Sequence, residues 1–260
     1  MVKKGRTSRI ASGVRAAGGR TSFDLMWSVP AKRTRGPRPQ LSLDAILEAA
    51  IAMADADGLE ALTMAALAQR LRVAPMALYR HVPGKQDLIE LMSERGLGPP
   101  PATDKGAWRD AIGRWARANL ENLVARPWLI EAVSRRRTLG PNLMAWLDAA
   151  LAALARSGLP DSHLIEAVLL IDGHARSTAQ LLTGAPATPE WADNFGRALQ
   201  ASRDDPRHAT LRRLAEAGSL APTGEPIPFE FGLQRILDGI EAFITSGARP
   251  RPARSTRRPR

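Results

Sequence analysis

Apolar side chains recur at helical spacing through most of residues 41–247. The clearest case lies in the tract from residue 61 to residue 86, where Met64, Leu67, Ala68 and Leu71 occupy positions i, i+3, i+4 and i+7. Thr63 directly precedes this stripe and suits the N-cap position. The pattern therefore predicts a helix that begins near Met64.

A second, shorter helix is predicted directly after the first. Pro75 lacks a backbone N–H and cannot lie inside a helix, but it suits the first position of a new one. Pro83 and Gly84 are expected to end this helix after His81, and residues 72–74 form the turn before it. Two short helices joined by a tight turn are a helix-turn-helix, a motif whose second helix enters the major groove of DNA.

The residues around this motif resemble a known family. The sequence LTMAALAQRLRVAPMALYRHVPGKQDLIELM, preceded by LSLDAILEAAIAMADADGLEAL, is similar to the N-terminal DNA-binding domain of the tetracycline-repressor (TetR) family of transcriptional regulators. Two positions differ from the usual pattern of that family. Arg72 stands where the turn commonly carries glycine, and Ala74 stands where serine or threonine commonly caps the recognition helix.

The resemblance implies which residues contact DNA. They are Thr63, Pro75, Met76, Tyr79, Arg80, His81 and Lys85. Tyr79, His81 and Lys85 correspond to phosphate contacts, since each carries a hydrogen-bond donor that a phosphate oxygen can accept. Pro75, Met76 and Arg80 correspond to the surface that faces the groove, where Arg80 could donate two hydrogen bonds to guanine. The alternative for Tyr79 is a packed ring with a solvated hydroxyl, and Leu78 and Val73 are expected in the core.

Two further helices complete the predicted N-terminal domain. Ser42 can cap a helix with a wide apolar stripe, which Gly58 would end. Another helix is expected from Lys85 to Gly96, with Leu88, Leu91 and Met92 facing inward. The glycine and three prolines of residues 98–101 then interrupt the helical pattern and mark a domain boundary.

The remainder of the chain also shows apolar residues at helical spacing, so the predicted class is all-α. It comprises an N-terminal three-helix helix-turn-helix DNA-binding domain at residues 41–96 and a C-terminal helical ligand-binding and dimerisation domain at residues 104–247. Within the second domain, helices are predicted from residue 108 to Pro127, over residues 128–133, from Pro141 to Gly158, from an Asp161 or Ser162 cap to Gly184, over residues 191–201, and over residues 233–244.

The last helix extends the family resemblance. The sequence FGLQRILDGIEAF at residues 231–243 is similar to the last helix of one TetR subgroup. The resemblance implies that residues 164–182 and 233–244 pack against their copies in a homodimer. Residues 164–171 are apolar nearly all round, which requires cover on both sides of the helix. The alternative is that both stripes form only the core of one chain.

The resemblance further implies a pocket for a small-molecule effector. Trp115, Trp128, Trp146 and His174 are candidate lining residues, and core packing is the alternative for each.

An enzyme is a third possible class of protein. His163, Glu166 and His174 share a helix face but lack the further ligands that a metal site needs. The sequence has no phosphate-binding glycine loop and no Gly-x-Ser-x-Gly motif. No enzyme activity, cofactor or metal is therefore expected.

Charge concentrates at the two ends of the chain. The net charge is +11, to which residues 1–40 contribute +9 and residues 248–260 contribute +6, so residues 41–247 carry −4. Both ends are predicted to be basic and disordered. Met26 could be the natural start of the protein, in which case residues 1–25 would not belong to it.

These observations favour a ligand-responsive transcriptional regulator, usually a repressor in this family, that binds a palindromic double-stranded DNA operator as a homodimer. The alternative is a nonspecific nucleic-acid-binding protein driven by its basic ends. The chain has no cysteine and no apolar run long enough to span a bilayer. We therefore expect a cytoplasmic protein that makes no contact with membranes.

Overall fold

The computed structural model describes residues 20–28, 41–134, 138–184, 189–203, 205–219 and 229–247. These residues form helices and connecting segments without strands, so the predicted all-α class is confirmed. The helices are α1 (Ser22–Trp27), α2 (Leu43–Ala61), α3 (Met64–Leu71), α4 (Pro75–Tyr79), α5 (Lys85–Leu97), α6 (Trp108–Ala125), α7 (Trp128–Ser134), α8 (Pro141–Ala155), α9 (Asp161–Thr183), α10 (Pro189–Ala201), α11 (Ala209–Glu216) and α12 (Phe229–Thr245). No helix within these ranges is long and apolar enough to cross a membrane.

The described residues divide into two compact units. The first comprises residues up to 95 together with residues 138–141, and the second comprises the rest. In the first unit, α3 packs against both α2 and α4. Its core consists of fully buried side chains from four helices and the segment after α4, namely Ile46, Leu67, Leu78, Val82, Leu88 and Met92. The inward positions predicted for residues 88, 91 and 92 are confirmed.

The turn between α3 and α4 contains the two residues that differ from the usual family pattern, Arg72 and Ala74. Arg72 has φ 56° and ψ 42°, the left-handed conformation that glycine adopts most easily. Its N–H contacts the carbonyls of Ala68 and Gln69 and so closes α3. Ala74 occupies the N-cap of α4 and provides no side-chain hydrogen bond to it. The predicted caps of α2 and α3 are confirmed, because Ser42 and Thr63 accept hydrogen bonds from backbone amides within their helices.

The predicted end of α4 and the predicted start of α9 are wrong by one or two residues. The recognition helix α4 ends at Tyr79 rather than His81, because the carbonyl of Leu78 accepts from both His81 and Val82 and closes the turn before Pro83. The predicted end of the regular helix at Gly58 is confirmed, because the φ of 77° and ψ of 175° at Gly58 are not helical and make a kink, after which a short helical segment continues to Ala61. The helix α9 begins at Asp161 itself, and Pro160 occupies the N-cap without a side-chain hydrogen bond.

The prediction of a structureless arm at residues 1–40 is wrong for residues 22–27, which form α1. A reciprocal capping box stabilises the first turn of this helix: Thr21 accepts from the backbone N–H of Asp24, and Asp24 accepts from that of Thr21. The hydrogen bond from the backbone N–H of Thr21, and to a smaller extent that from its hydroxyl, lowers the pKa of Asp24. The remaining residues of the predicted arm and the predicted tail at 248–260 lie outside the described residues.

The second unit has α9 at its centre, packed against α6 and α12. Its core includes the buried side chains Ile112, Trp115, Trp146, Leu154, Ile171, Leu233 and Leu237. Ion pairs join α6 to α12 at the edge of this core. Arg109 contacts Asp238 and Glu241 at 2.6 Å each, and Arg117 donates two hydrogen bonds to Glu230 at 2.6 and 2.9 Å.

Candidate nucleic-acid interface and effector site

The short helix α4 and the two residues that follow it carry five of the seven predicted DNA-contacting side chains. Leu78 is fully buried, whereas Met76 is 69% exposed and Tyr79 is 44% exposed. Pro75 and Arg80 are exposed as well, and His81 is half-buried just after the helix. Because Leu78 anchors one side of α4 in the core, the polar and apolar groups on its other sides stay available to a partner. The predicted core position of Leu78 is confirmed, and Val73 is half-buried.

Two predicted contact residues also have structural roles. The hydroxyl oxygen of Thr63 accepts from the backbone N–H of Ala66 at 3.0 Å, which leaves the hydroxyl hydrogen free to bond another acceptor. Lys85 lies at the start of α5, and its Nζ donates to the carbonyl of Leu59 at 3.2 Å. An ammonium group has three donors, so two remain for a phosphate. The bond to Leu59 holds Lys85 against the end of α2, which residue patterns did not reveal.

The end of α4 borders a polar cavity of about 470 Å³. Tyr79, Arg80 and His81 line it from one side. Arg20 and Ser28, which flank α1, line it as well. The sequence pattern did not indicate the part played by these two residues. The capping-box pattern at Thr21 and Asp24 was the available signal for a helix there.

The four candidate effector-binding residues occupy different environments in the second unit. Trp115 and Trp146 pack edge to face with ring centroids 5.7 Å apart. Both indole N–H groups are satisfied, because Trp115 donates to the carbonyl of Trp146 at 2.9 Å and Trp146 donates to that of Gly98 at 3.0 Å. Trp128 is buried beside Gly96. The structure therefore brings two of the candidates together, inside the core of the unit.

His174 connects α9 to the start of α12. Its ring stacks on Phe229 with centroids 4.9 Å apart, and its Nε2 hydrogen-bonds the Phe229 carbonyl at 2.9 Å. Gly232 makes room for this ring, since a Cβ at that position would lie 2.3 Å from His174. This imidazole is thus fixed by its neighbours on α12.

A cavity of about 490 Å³ lies between α9 and α12. It is lined by residues other than the four effector-binding candidates. Its lining includes Leu159, His163, Glu166, Leu170, Arg235 and Phe243. Here the predicted His163–Glu166 proximity is confirmed as a 2.9 Å contact between Nδ1 and Oε2. Within the described ranges, no group of three or more His, Cys, Asp or Glu side chains is placed to hold a metal ion.

Parts of α9 remain uncovered in the single chain. Large apolar side chains are exposed near its start, at Ile165, Leu169 and Leu170, and near its end, at Leu181 and Leu182. On the covered side, Ala167, Val168 and Ile171 are buried. Large exposed apolar side chains in such number on one helix are typical of an interaction surface.

Comparison with known proteins gives matches over both units. The family model described as "Bacterial regulatory proteins, tetR family" matches residues 46–96, and the model described as "Tetracyclin repressor-like, C-terminal domain" matches residues 100–244. The HTH-type transcriptional repressor DrrR1 of Streptomyces coeruleorubidus is 35% identical over 235 residues, which cover 86% of each chain. Apo ActR from Streptomyces coelicolor has a TM-score of 0.69 and 25% identity, covering 82% of this chain and 100% of that chain. ActR in complex with actinorhodin has a TM-score of 0.67 and 26% identity over the same shares.

Proposed function

Because this chain belongs to the TetR family and is a DNA-binding transcriptional regulator, we propose that it represses genes from a palindromic operator and leaves that operator when a small-molecule effector binds. In this proposal, two copies of the chain form a dimer and each α4 reads one half-site. Dimer symmetry then matches operator symmetry. Effector and operator affect each other's affinity through a coupling free energy, typically about 1–3 kcal/mol.

The exposed surface of α4 is the observation that carries the DNA-binding part of the proposal. Leu78 holds the helix to the core, while Met76, Tyr79 and Arg80 remain exposed. The surrounding tract at residues 61–86 contains no acidic residue. A phosphate backbone approaching this surface therefore meets hydrogen-bond donors and positive charge from that tract without a carboxylate among them.

The dimer and the effector rest on separate observations. The exposed apolar side chains of α9 support a homodimer. The family resemblance assigns the dimer interface to the same region, α9 and α12. The complex of ActR with actinorhodin supports a small-molecule effector. Trp115, Trp128, Trp146 and His174 remain our candidates for the effector pocket, although their present contacts are with the protein itself.

A protection experiment on the DNA upstream of the coding sequence tests the DNA-binding part of this function. It should use about 150 mM salt, close to physiological ionic strength, and excess competitor DNA. We expect the wild-type protein to protect a discrete inverted repeat, and Tyr79→Ala and Arg80→Ala to lose that protection. Arg213→Ala removes the same charge from exposed α11 and serves as the matched control. Uniform protection that the α4 variants retain would support the alternative of nonspecific binding by the basic ends.

A further inference from the structure

The helix α1 is fixed to the first unit by hydrogen bonds at both of its ends. Ser22 is 4% exposed, and its Oγ donates to Glu90 Oε2 at 2.7 Å while its backbone N–H donates to Asp87 Oδ1 at 3.1 Å. At the other end, Trp27 Nε1 donates to the carbonyl of Leu139 at 2.9 Å. Residues 20–28 are therefore built into the unit that contains α4.

This attachment places α1 beside the recognition helix. Arg20 and Ser28, which stand just before and just after α1, line the same cavity as Tyr79, Arg80 and His81. Arg20 Nη2 donates to Ser28 Oγ at 2.7 Å, which positions the guanidinium across the end of the helix. The guanidinium has five N–H donors, so most of them remain for a ligand.

The chemistry of the cavity matches an anion with several acceptor oxygens. Two guanidinium groups, two hydroxyls and an imidazole line it together with the apolar Leu25, Leu43 and Pro83, and none of the described lining residues is acidic. Asp24, the one carboxylate of α1, accepts hydrogen bonds from Thr21 instead. The volume of about 470 Å³ is many times the roughly 30 Å³ share of a water molecule, so a phosphate group fits.

We propose that this cavity binds a backbone phosphate of the operator, with Arg20 as an additional charged contact outside the helix-turn-helix. The inference rests on the proposed function, because Tyr79, Arg80 and His81 face the same DNA. Ser22 acts as a positioning residue, since its bonds to Asp87 and Glu90 hold α1 where Arg20 reaches the phosphate. The segment that follows Ser28 fits this placement, because residues 29–40 contain four basic residues and no acidic one.

Ethylation interference tests this contact one phosphate at a time. The full chain is bound to a duplex that the wild-type protein has selected from a random-sequence pool. We expect Arg20→Gln to lose interference at one phosphate in each half-site, while the remaining pattern persists. The slope of log K against log salt should become about 0.9 shallower for each phosphate that is no longer neutralised. Binding at about 150 mM salt should fall about 5- to 50-fold, as expected when a charge-assisted hydrogen bond is removed.

Two variants complete the experiment. Arg213→Gln removes one charge from α11 and should leave the interference pattern and the salt slope of the wild type. Ser22→Ala removes the hydroxyl donor to Glu90 and keeps the backbone bond to Asp87, so it should weaken interference at the same phosphate but less than Arg20→Gln does. The melting temperature of each variant reports whether it is folded, and Arg20 is exposed, so Arg20→Gln should match the wild type.

Two results would overturn the inference, and they are distinguishable. If the wild type selects a specific duplex and Arg20→Gln keeps every interfering phosphate and the same salt slope, the cavity is not a phosphate site although the regulator function stands. If the wild type selects no specific duplex, the proposed function itself fails and the phosphate contact fails with it.

Discussion

In the first unit, the apolar residues of α2, α3 and α5 face a core within the unit, whereas α9 of the second unit leaves five large apolar side chains exposed. Both helix sets show the same helical spacing in the sequence. The difference lies in the width of the apolar surface: α3 has one stripe, which α2 and α4 cover, while residues 164–171 are apolar nearly all round. A helix of the second kind requires a partner surface beyond α6 and α12.

The largest effect is expected from placing charge at exposed apolar positions of α9. The double variant Leu169→Glu/Leu181→Glu should be monomeric, because each carboxylate would have to be desolvated in a paired interface. Operator binding should then fall below detection, since one recognition helix contacts only one half-site. Sedimentation measures the oligomeric state. Leu211→Glu on α11 is the control, and a dimeric double variant would mean that these positions do not lie in the interface.

The second-largest effect is expected from a substitution at Gly232 that fills the space beside the His174 ring. Gly232→Ala would place a methyl group 2.3 Å from the imidazole ring, and we expect a loss of about 1–3 kcal/mol in the free energy of unfolding. Gly196→Ala in α10 is the matched control, because nothing lies within 4 Å of its added Cβ. That control should gain up to ~1 kcal/mol from helix propensity. Urea denaturation measures both, and equal stability of the two variants would contradict the packing of α9 on α12.

A smaller, opposite effect is expected at the start of α4. Ala74 makes no side-chain cap, so Ala74→Ser should stabilise the first unit by about 0.5–2 kcal/mol. Thr63→Ala is the mirror-image variant, because it removes the observed cap of α3 and should destabilise by a similar amount. Denaturant midpoints of both variants should therefore move in opposite directions. If Ala74→Ser is no more stable than the wild type, Ala74 does not occupy the N-cap of α4.

Acidification should produce the smallest effect, at the ion pairs between α6 and α12. The hydrogen bond from Arg117 lowers the pKa of Glu230, and that from Arg109 lowers the pKa of Asp238. A carboxylate with a lowered pKa contributes stability above its unfolded pKa, about 4.3 for glutamate, and that stability is lost as the pH falls through the folded value.

The partly exposed pair of Arg117 and Glu230 is expected to contribute on the order of 0.2–1 kcal/mol. Glu230→Gln should therefore lower stability by that amount near neutral pH and flatten its dependence on pH below about 4. Glu121→Gln removes an exposed carboxylate of α6 and is the control. Thermal unfolding at about pH 3 and about pH 7 measures the difference, which should vanish at low pH. An equal loss at both pH values would rule out the ionic contribution.

The sequence predicted helices well where a cap, a regular stripe and a proline or glycine coincide. The bounds of α3 follow from Thr63, from the stripe beginning at Met64 and from the turn before Pro75. The helix α1 was missed because it has only six residues, and local propensity cannot stabilise so short a helix. Its main support is tertiary, through the bonds from Ser22 to Asp87 and Glu90.

Some residues of the candidate site could be predicted from the sequence, and others could not. The start of the recognition helix could be located from Pro75, but its end at Tyr79 could not be located from Pro83 and Gly84, because it depends on the hydrogen bonds that the Leu78 carbonyl accepts from His81 and Val82. The contribution of Arg20 to the adjacent cavity could not be predicted either, since it depends on hydrogen bonds between segments 65 and 68 residues apart in the sequence. The cavity between α9 and α12 likewise depends on how two distant helices pack, and the sequence pattern identifies the helices without giving the space between them.

Whether α4 reads a symmetric DNA site can be measured by selecting and sequencing duplexes from a random pool at about 150 mM salt. We predict an inverted repeat with half-sites about one helical turn apart, or a multiple of that spacing. Arg80→Ala should bind too weakly to protect a site at this salt, and the duplexes that it still selects at higher protein concentration should lose the preference at one base of each half-site. Selection of no common sequence, or of a motif that Arg80→Ala and Tyr79→Ala leave unchanged, would contradict the reading of DNA by α4.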